Sequence, residues 1–337
     1  MTRAEVIRAL DAEPADALAA RADRGRAAVC GEPVHLRGII EYSSFCRRNC
    51  AYCGIRAANR LLVRYRMTPA QVRELAADAV ERGVRTIVLQ GGEDPEITAD
   101  DIARVIESIK ALGDVAVTLS CGEFSRNEYR TMRDAGADRY LIKFETSNDA
   151  LYARLHSDSR LGDRLRCVRD LVDLGFQAGS GSLVGLPGQA LEDVADDLLL
   201  AAGLDLAMAT FSPFVPHPET PLASEAGGAA DLALRVLSAA RLLLPQAHIP
   251  VSTALASICD DGYRRGLRIG ANVVMANLTP DDAARCYDLY PGKAALKTGR
   301  DQVARLRRLV ESLGRPVAIT RGDSLMQAPV GAGWSGR

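Results

Sequence analysis

Three cysteines stand within eight residues of each other in the segment EYSSFCRRNCAYCGIR, residues 41–56. Cys46, Cys50 and Cys53 have the spacing C-x3-C-x2-C, and Tyr52 places a flat aromatic ring before the last of them. Thiolates are soft ligands that suit iron–sulfur clusters, zinc or copper. Closed zinc sites and electron-transfer clusters usually take four protein ligands. Three thiolates on a four-iron cube leave one iron open to a small molecule, so the spacing predicts an open [4Fe–4S] cluster.

Two other interpretations of the cysteines stay open at this point. A zinc site would need a fourth ligand, such as Cys30 or His35, and the three thiols could also be ordinary loop cysteines. The remaining cysteines are scattered along the chain, as is typical of small buried apolar residues: Cys30, Cys121, Cys167, Cys259 and Cys286.

The composition indicates a globular protein with a large core. The chain has 337 residues, of which 47% are apolar and 25% charged, with a net charge of −1. Neither nucleic acid nor a membrane surface is expected as the main partner of such a chain. The charged N-terminus lacks the apolar core of a signal peptide, and no apolar run reaches the ~18 residues of a spanning helix. We therefore expect a cytoplasmic protein with reduced thiols.

Short β-rich runs alternate with amphipathic stretches, which predicts parallel strands joined by crossover helices. Two helices are marked by threonine caps, at TPAQVRELAADAVERG from Thr68 and TADDIARVIESIKALG from Thr98. The pattern favours a (β/α)8 barrel of the TIM type over an open doubly wound sheet, which usually has fewer strands. The predicted strands are 34–43, 85–90, 114–120, 139–145, 177–186, 206–213, 248–255 and 272–278.

No shift in composition marks a boundary inside the barrel. We expect an N-terminal helical extension over residues 1–33, the barrel over 34–298, and a terminal helix with a loose tail over 299–337. In a parallel barrel the chemistry lies at the C-terminal ends of the strands. The cysteine segment follows the first predicted strand directly, so it lies at that end.

Further polar residues follow other predicted strands. The motif QGGEDP contains Gly91, Gly92 and Glu93, whose glycines would let a ligand approach the backbone, although a plain turn is the simpler interpretation. Glu145 ends the fourth strand and could accept hydrogen bonds from a ligand or pair with Lys143. Arg164 begins a later helix, where it either binds an anion or lies on a solvated face.

The cysteine spacing with an aromatic residue before the last cysteine resembles the signature of radical S-adenosylmethionine (AdoMet) enzymes. The resemblance implies that the open iron chelates the methionine part of AdoMet, and that the reduced cluster cleaves AdoMet to a 5′-deoxyadenosyl radical. It also implies that the Gly91-Gly92-Glu93 motif holds the amino group. Glu145 would then bind the ribose and Arg164 the carboxylate, with Tyr52 beside the cluster.

A closer resemblance is to the HydE family of [FeFe]-hydrogenase maturases, over roughly residues 34–292; biotin synthase and methylornithine synthase resemble the chain more distantly. The segments that match include RYRMTPAQV, AGADRYLIKFET, PFVPHPETPLA and YDLYPGK. This resemblance implies a substrate cavity lined by a further set of residues: Lys143, Phe144, Ser252, Thr253, Met275, Tyr287 and Tyr290.

One departure from the family pattern falls in that cavity. Lys143 and Phe144 stand where the family commonly has arginine and histidine, which changes anion geometry and proton chemistry there. The resemblance implies maturation of the hydrogenase cofactor, with a small thiolate or cysteine-bound iron species as substrate and a flavodoxin- or ferredoxin-type reductant. The alternatives are a divergent enzyme that modifies an organic small molecule, and a non-catalytic iron–sulfur carrier or scaffold.

Overall fold

Parallel strands form the centre of the molecule. The computed structural model describes residues 1–293 and 300–326. Within these residues the sheet has seven strands in the order β6-β5-β4-β3-β2-β1-β7, and all neighbouring strands are parallel. The strands are β1 (His35–Ser43), β2 (Thr86–Gly91), β3 (Ala116–Ser120), β4 (Arg139–Leu141), β5 (Gln177–Val184), β6 (Met208–Pro213) and β7 (Val273–Asn277).

Helices precede the sheet and connect its strands. The N-terminal pair is α1 (Arg3–Asp11) and α2 (Ala15–Cys30). The others are α3 (Pro69–Glu81), α4 (Ala99–Lys110), α5 (Arg126–Asp134), α6 (Asp149–Leu155), α7 (Leu161–Asp173), α8 (Leu191–Ala202), α9 (Ala230–Leu243), α10 (Thr253–Ile258), α11 (Gly262–Leu267), α12 (Asp281–Arg285) and α13 (Arg300–Glu311).

The gap between the edge strands β6 and β7 is filled by the short segment 248–251. The amide of Ala209 donates to the carbonyl of His248 at 3.0 Å, and the amide of Val251 donates to the carbonyl of Val273 at 3.1 Å. Single parallel bridges join this segment to both edge strands. It thus occupies the place of an eighth strand, and the predicted barrel architecture of strands with crossover helices is confirmed.

The predicted strand 248–255 is longer than the segment that pairs. Pro250 has no amide hydrogen to donate to a ladder. The hydroxyl of Ser252 then accepts from the amide of Leu255 at 3.2 Å, which starts helix α10 at Thr253. These two residues end the pairing after Val251 and turn the chain into a helix at the C-terminal end of the barrel.

Local capping signals were reliable in the helices between the first strands. Thr68 and Thr98 both form capping boxes, in which the threonine hydroxyl accepts from the third residue of the helix and that residue's side chain binds the threonine amide. Helix α4 buries Ile102, Ile106 and Ile109 on one face, as the 3.6-residue period requires. These helices hold β1, β2 and β3 in register, and the loops after the strands are then fixed in space.

The opposite end of the barrel is covered by the described part of the C-terminal segment. The buried guanidinium of Arg139 donates to the carbonyls of Arg321 (2.8 Å) and Gly322 (2.7 Å) and to the carboxylate of Asp323 (3.0 Å). Gly322 has a φ of 61°, and a Cβ there would lie 2.6 Å from Nδ1 of His35. The cavity described below therefore opens at the end where the strands terminate. The predicted loose tail, GAGWSGR, lies outside the described residues.

The N-terminal helices pack on the outside of the barrel. The side chain of Arg3 pairs with Asp196 on α8 at 2.6 Å, and Arg235 on α9 donates to the carbonyls of Ala9 and Glu13. The division of the chain at residues 33 and 298 stays a prediction. In the part of the chain that the structure describes, no helix is both long enough and apolar enough to cross a membrane.

Candidate functional site

A cavity of about 340 Å³ opens at the C-terminal ends of the strands. All but one of the residues predicted to bind the cluster, AdoMet or the substrate line it. These residues are Cys46, Cys50, Tyr52, Cys53, Gly91, Gly92, Glu93, Lys143, Glu145, Arg164, Ser252, Thr253, Met275, Tyr287 and Tyr290. Residues separated by more than 200 positions in the sequence thus meet in one space, because parallel strands end at the same rim of a barrel.

The three loop cysteines are free thiols at one side of this cavity, and each is half-buried. Burial raises the pKa of Cys46, raises that of Cys50 well above its usual range, and raises that of Cys53 to about 12. The neighbouring thiols add to the rise for Cys50 and Cys53. Iron must therefore displace protons to bind here, because the thiolate is the ligand.

The two residues considered as a fourth zinc ligand lie elsewhere. Cys30 ends α2 and contacts Pro245 and Arg241. His35 begins β1, so the length of that strand separates it from the cysteine loop, and its ring packs edge-on against His248 at 4.8 Å between centroids. Neither residue is near enough to complete a site with the three thiols. Among the described residues, no group of three His, Cys, Asp or Glu side chains is arranged to hold a single metal ion.

Gly92, directly after β2, has a packing role that the sequence did not show. A Cβ on Gly92 would lie 2.2 Å from the carbonyl oxygen of Phe45 and 2.7 Å from Cβ of Cys46, and the amide of Gly92 donates to the carbonyl of Ser43. Glycine is thus required because the cysteine loop rests directly on this turn. Asp94 fastens the same turn, since its carboxylate accepts from the Ser43 hydroxyl at 2.6 Å.

Glu93 is buried, and its carboxylate already has several donors. Arg47 and Arg48 approach the same oxygen at 3.0 and 2.7 Å, and the amide of Glu123 donates to the other oxygen at 3.1 Å. Both arginines belong to the cysteine segment. Glu93 therefore ties the loop after β2 to the cysteine loop, and binding of an ammonium group by Glu93 stays a prediction.

Glu145 lies in the cavity in an unusual backbone conformation. Its φ is 67°, a left-handed value that is rare for residues other than glycine, asparagine and aspartate and costs on the order of 1–2 kcal/mol. The amide of Glu145 donates to the carbonyl of Gly181, and its own carbonyl accepts from the amide of Leu183, so β5 holds the strained residue in place. Strain that the surrounding structure maintains is common at functional sites.

The Glu145 carboxylate has one partner on each side. The hydroxyl of Tyr52 donates to Oε1 at 3.1 Å, and Nζ of Lys143 lies 3.0 Å from Oε2. The ion pair with Lys143 that the sequence suggested is therefore present, and the carboxylate still lines the cavity. A carboxylate held in this way can accept hydrogen bonds from the hydroxyls of a bound ribose.

Arg164 is buried, which excludes the solvated helix face. Its Nε donates to Oε1 of Glu123 at 2.7 Å, and its Nη1 donates to the carbonyl of Lys143. Glu123 also binds Arg48 at 2.7 Å and the hydroxyl of Ser159 at 3.0 Å. Burial alone would raise the pKa of Glu123, but Arg164 and Arg48 hold it below its usual range. Glu123 was not predicted as a site residue, although its position just after β3 could have marked it as one.

His156 is a second residue that the sequence reasoning missed. Its ring is buried, with Nδ1 at 3.4 Å from the sulfur of Cys50 and Nε2 at 3.5 Å from the hydroxyl of Tyr52. It stacks on Tyr152 with 4.4 Å between ring centroids. Burial, followed by the nearby cations Arg164 and Arg48, keeps its pKa well below the usual value. A neutral ring with hydrogen on Nδ1 would donate to the Cys50 sulfur when that sulfur is a thiolate.

The far side of the cavity carries hydroxyl groups and a thioether. The hydroxyls of Thr253 and Tyr290 are hydrogen-bonded to each other. Tyr287 is buried beneath Nζ of Lys293, which lies 4.7 Å from its ring centroid, and Met275 comes from β7. This side of the cavity contains few charges, and the arrangement suits a small substrate placed by hydroxyl groups and apolar contacts.

Phe144 does not line the cavity, so this part of the expected substrate cavity needs correction. Its side chain is fully buried in the hydrophobic core, whereas both neighbours, Lys143 and Glu145, reach the cavity. The ring therefore faces the packing between sheet and helices.

Comparison with known proteins agrees with this fold and site. Residues 40–201 match the family model described as the radical SAM superfamily. The chain is 45% identical over 301 residues to the [FeFe] hydrogenase maturase subunit HydE of Thermotoga maritima, covering 89% of this chain and 86% of that protein. It is 27% identical over 253 residues to 3-methylornithine synthase of Methanosarcina barkeri, covering 74% and 71%. The crystal structure of methylornithine synthase superimposes with a TM-score of 0.84 over 94% of both chains, at 24% identity.

The barrel and its cysteine site define a radical AdoMet enzyme, whose cofactors are a [4Fe–4S] cluster and AdoMet. Within that superfamily, the chain belongs to the HydE family. The residues present fit both cofactors. Three free cysteines at one side of the cavity match the donor chemistry of an open cluster, and beside them lie the carboxylate of Glu145 and the guanidinium of Arg164.

Proposed function

We propose that this protein acts in the assembly of the [FeFe]-hydrogenase cofactor, as its relative from Thermotoga maritima is named for doing. One observation supports this most directly. The 45% identity extends over 89% of the chain, so it includes the substrate side of the cavity as well as the cysteine loop. The proposal covers the substrate class and the residues that bind it.

In this proposal Cys46, Cys50 and Cys53 hold the cluster. Glu145 and Arg164 would bind AdoMet, and the turn of Gly91, Gly92 and Glu93 would hold its amino group. When bound, the reduced cluster supplies the electron that cleaves AdoMet to methionine and a 5′-deoxyadenosyl radical. The protein's own part is to orient AdoMet and to exclude water, for which the cavity walls supply side chains such as Ile39, Leu141 and Val251.

The proposed substrate is a small thiolate or cysteine-bound iron species. Lys143 supplies a cation to the cavity beside the proposed AdoMet residues, since it lines the cavity and pairs with Glu145. Ser252, Thr253 and Tyr290 would place the substrate by hydrogen bonds, and Met275 would contact it. The enzyme would act in the cytoplasm and receive electrons from a flavodoxin- or ferredoxin-type protein.

The test is complementation of a host that lacks HydE but contains the other maturation proteins. The unaltered chain is expected to restore hydrogenase activity, and the purified protein is expected to form 5′-deoxyadenosine with dithionite. Failure to complement by a chain that still cleaves AdoMet would assign it to the divergent small-molecule alternative. An iron-loaded chain that forms no 5′-deoxyadenosine would support a carrier or scaffold instead.

A pair of variants makes this test specific to the cavity. If Lys143 limits recognition of the maturase substrate, Lys143→Arg raises complementation because arginine adds a planar set of donors. Phe144→His serves as the matched control, since residue 144 is buried in the core and faces away from the cavity. Equal gains from both variants would contradict a substrate contact at Lys143.

A further inference from the structure

The outer cover of the cysteine loop is a segment that we call the strap, residues 54–66. Arg64 fastens it, because its guanidinium donates to the carbonyls of Ile55 at 3.0 Å and Arg56 at 2.7 Å. The amide of Ala57 also donates to the carbonyl of Arg48 within the cysteine loop, at 2.8 Å. The strap thus packs directly against the loop that carries the proposed cluster cysteines.

Two large apolar side chains of the strap are exposed. Leu61 is 74% exposed and Val63 is 72% exposed. Such exposure has a cost, since each side chain leaves apolar area in water. Neighbouring exposed apolar residues rimmed by polar ones are typical of interaction sites. These two lie two positions apart on the segment that follows the cysteine loop in the chain.

The chain segment that carries this pair is rich in arginine. Residues 42–73 contain seven arginines and neither aspartate nor glutamate, although the whole chain has a net charge of −1. Arg47, Arg48 and Arg66 pair with carboxylates from other loops. Arg60, next to Leu61, is exposed. The apolar pair therefore lies beside an exposed cation, Arg60, while the exposed carboxylate of Glu96 is paired with Arg66.

We infer that the strap is the docking site for an acidic one-electron carrier protein. This inference rests on the proposed function, because it assigns a surface to the reductant. The carrier would lose one electron to the cluster behind the strap and be oxidised by one electron, with no bond formed or broken. Opposite charge steers such encounters, and small interfaces with an apolar centre are typical of transient electron-transfer complexes.

The experiment measures carrier-driven reaction and carrier binding separately. Reduced flavodoxin is the probe, used with the cluster-loaded full chain. The surface variants are Arg60→Glu and the double variant Leu61→Ser/Val63→Ser. Their matched controls are Arg24→Glu, an exposed arginine of α2, and Ile319→Ser, which is 82% exposed in the C-terminal segment. Initial rates of 5′-deoxyadenosine formation are recorded against flavodoxin concentration at low and high salt, and again with dithionite in its place.

Both surface variants are expected to raise the half-saturating flavodoxin concentration about five- to tenfold. The effect of Arg60→Glu shrinks at high salt because surface charges are screened, while that of the apolar double variant persists. Dithionite-driven rates and both controls stay unchanged. A calorimetric titration of each loaded protein with flavodoxin should show the same order of affinities without depending on turnover.

Several results would overturn the inference. The inference is wrong if both surface variants bind flavodoxin as tightly as the unaltered chain and show the same flavodoxin-driven rates. Variants that keep flavodoxin binding but lose hydrogenase activation in cells would assign the strap to a protein that delivers or receives substrate. An unaltered chain that forms no 5′-deoxyadenosine with dithionite would sink the proposed function instead, and the titration would still decide whether the strap binds flavodoxin.

Discussion

Variants of Arg164 and of its partner Glu123 can separate the contribution of Arg164 to stability from its proposed contact with AdoMet. The variant Arg164→Met keeps a long side chain and deletes the charge. The Arg164–Glu123 ion pair is buried, with 8% and 9% of the two side chains exposed and 2.7 Å between Nε and Oε1. Deleting the guanidinium leaves a buried carboxylate with Arg48 as its remaining cation in the described part of the chain.

The expected loss is large because the pair is buried. Breaking a buried ion pair by removing one partner costs about 3–5 kcal/mol, and Arg48 compensates for part of this. The carbonyl of Lys143 also loses its donor, worth about 1 kcal/mol. We expect Arg164→Met to lower the free energy of unfolding by about 3–4 kcal/mol. Glu123→Gln in the same chain should restore part of it, with a coupling energy of about 2 kcal/mol.

The assay is urea unfolding of the cluster-free protein under reducing conditions, followed by far-ultraviolet circular dichroism. Arg126→Met is the matched control. Arg126 pairs with Asp170 at a similar distance, 2.8 Å, but its side chain is 41% exposed, so its loss should cost about 0.2–1 kcal/mol. Equal losses from the two variants would refute the argument from burial.

AdoMet affinity then distinguishes a direct contact from positioning. Glu123→Gln alone leaves the Arg164 guanidinium in the cavity, whereas Arg164→Met removes it. If Arg164 binds the AdoMet carboxylate, only Arg164→Met should weaken binding strongly, by about 10- to 100-fold. Equal weakening in the two variants would show that Arg164 acts by holding the loop after β3.

Four further outcomes are expected. Cys50→Ala should prevent uptake of about four irons per chain, whereas Cys286→Ala, outside the cysteine loop, should leave it unchanged in iron assays and visible spectra. Glu145→Ala should weaken AdoMet binding by about 1.5–3 kcal/mol, measured by calorimetry, and an unchanged affinity would contradict its role. His156→Leu should shift the reduction potential of the cluster to more negative values, because it removes a hydrogen bond to the Cys50 sulfur. One hydrogen bond of about 1 kcal/mol corresponds to a shift on the order of 40 mV, measured by a redox titration followed by electron paramagnetic resonance. Gly92→Ala should displace the cysteine loop and lower iron retention, because its Cβ has no room beside Phe45; full retention would contradict this packing argument.

The fold could be predicted to a large extent because its signals are local. Threonine caps at positions 68 and 98 and alternating strand–helix patterns depend on neighbouring residues only. The error in strand 248–255 arose where two local signals conflicted. The apolar residues favoured a strand, while Pro250 removed a donor and Ser252 supplied a helix cap. How far the segment stays extended is decided by its pairing with the two edge strands, β6 and β7, and that pairing depends on tertiary structure.

The site was predictable where residues stand in motifs and unpredictable where they meet through the fold. His156 lies 106 positions from Cys50, and no spacing rule connects them. Phe144 was misplaced because the direction of a side chain depends on the backbone around it. Regular pairing of β4 ends at Leu141, and Glu145 then takes a left-handed conformation. Only the structure shows which neighbours of Glu145 face the cavity.

The charges around the residues proposed to bind AdoMet are linked to one another, and this has a consequence for the proposed substrate. Glu93, Arg48, Glu123 and Arg164 alternate in sign through successive ion pairs, and Arg164 also donates to the carbonyl of Lys143. The ammonium of Lys143 is itself held 3.0 Å from Glu145. The lysine ammonium is a single point charge, so a substrate anion that binds Lys143 must share that charge with the Glu145 carboxylate. Under the proposed function, we therefore expect the hydroxyl-rich side of the cavity to have a larger part in placing the substrate than it would beside an arginine, whose planar donors can serve two acceptors at once.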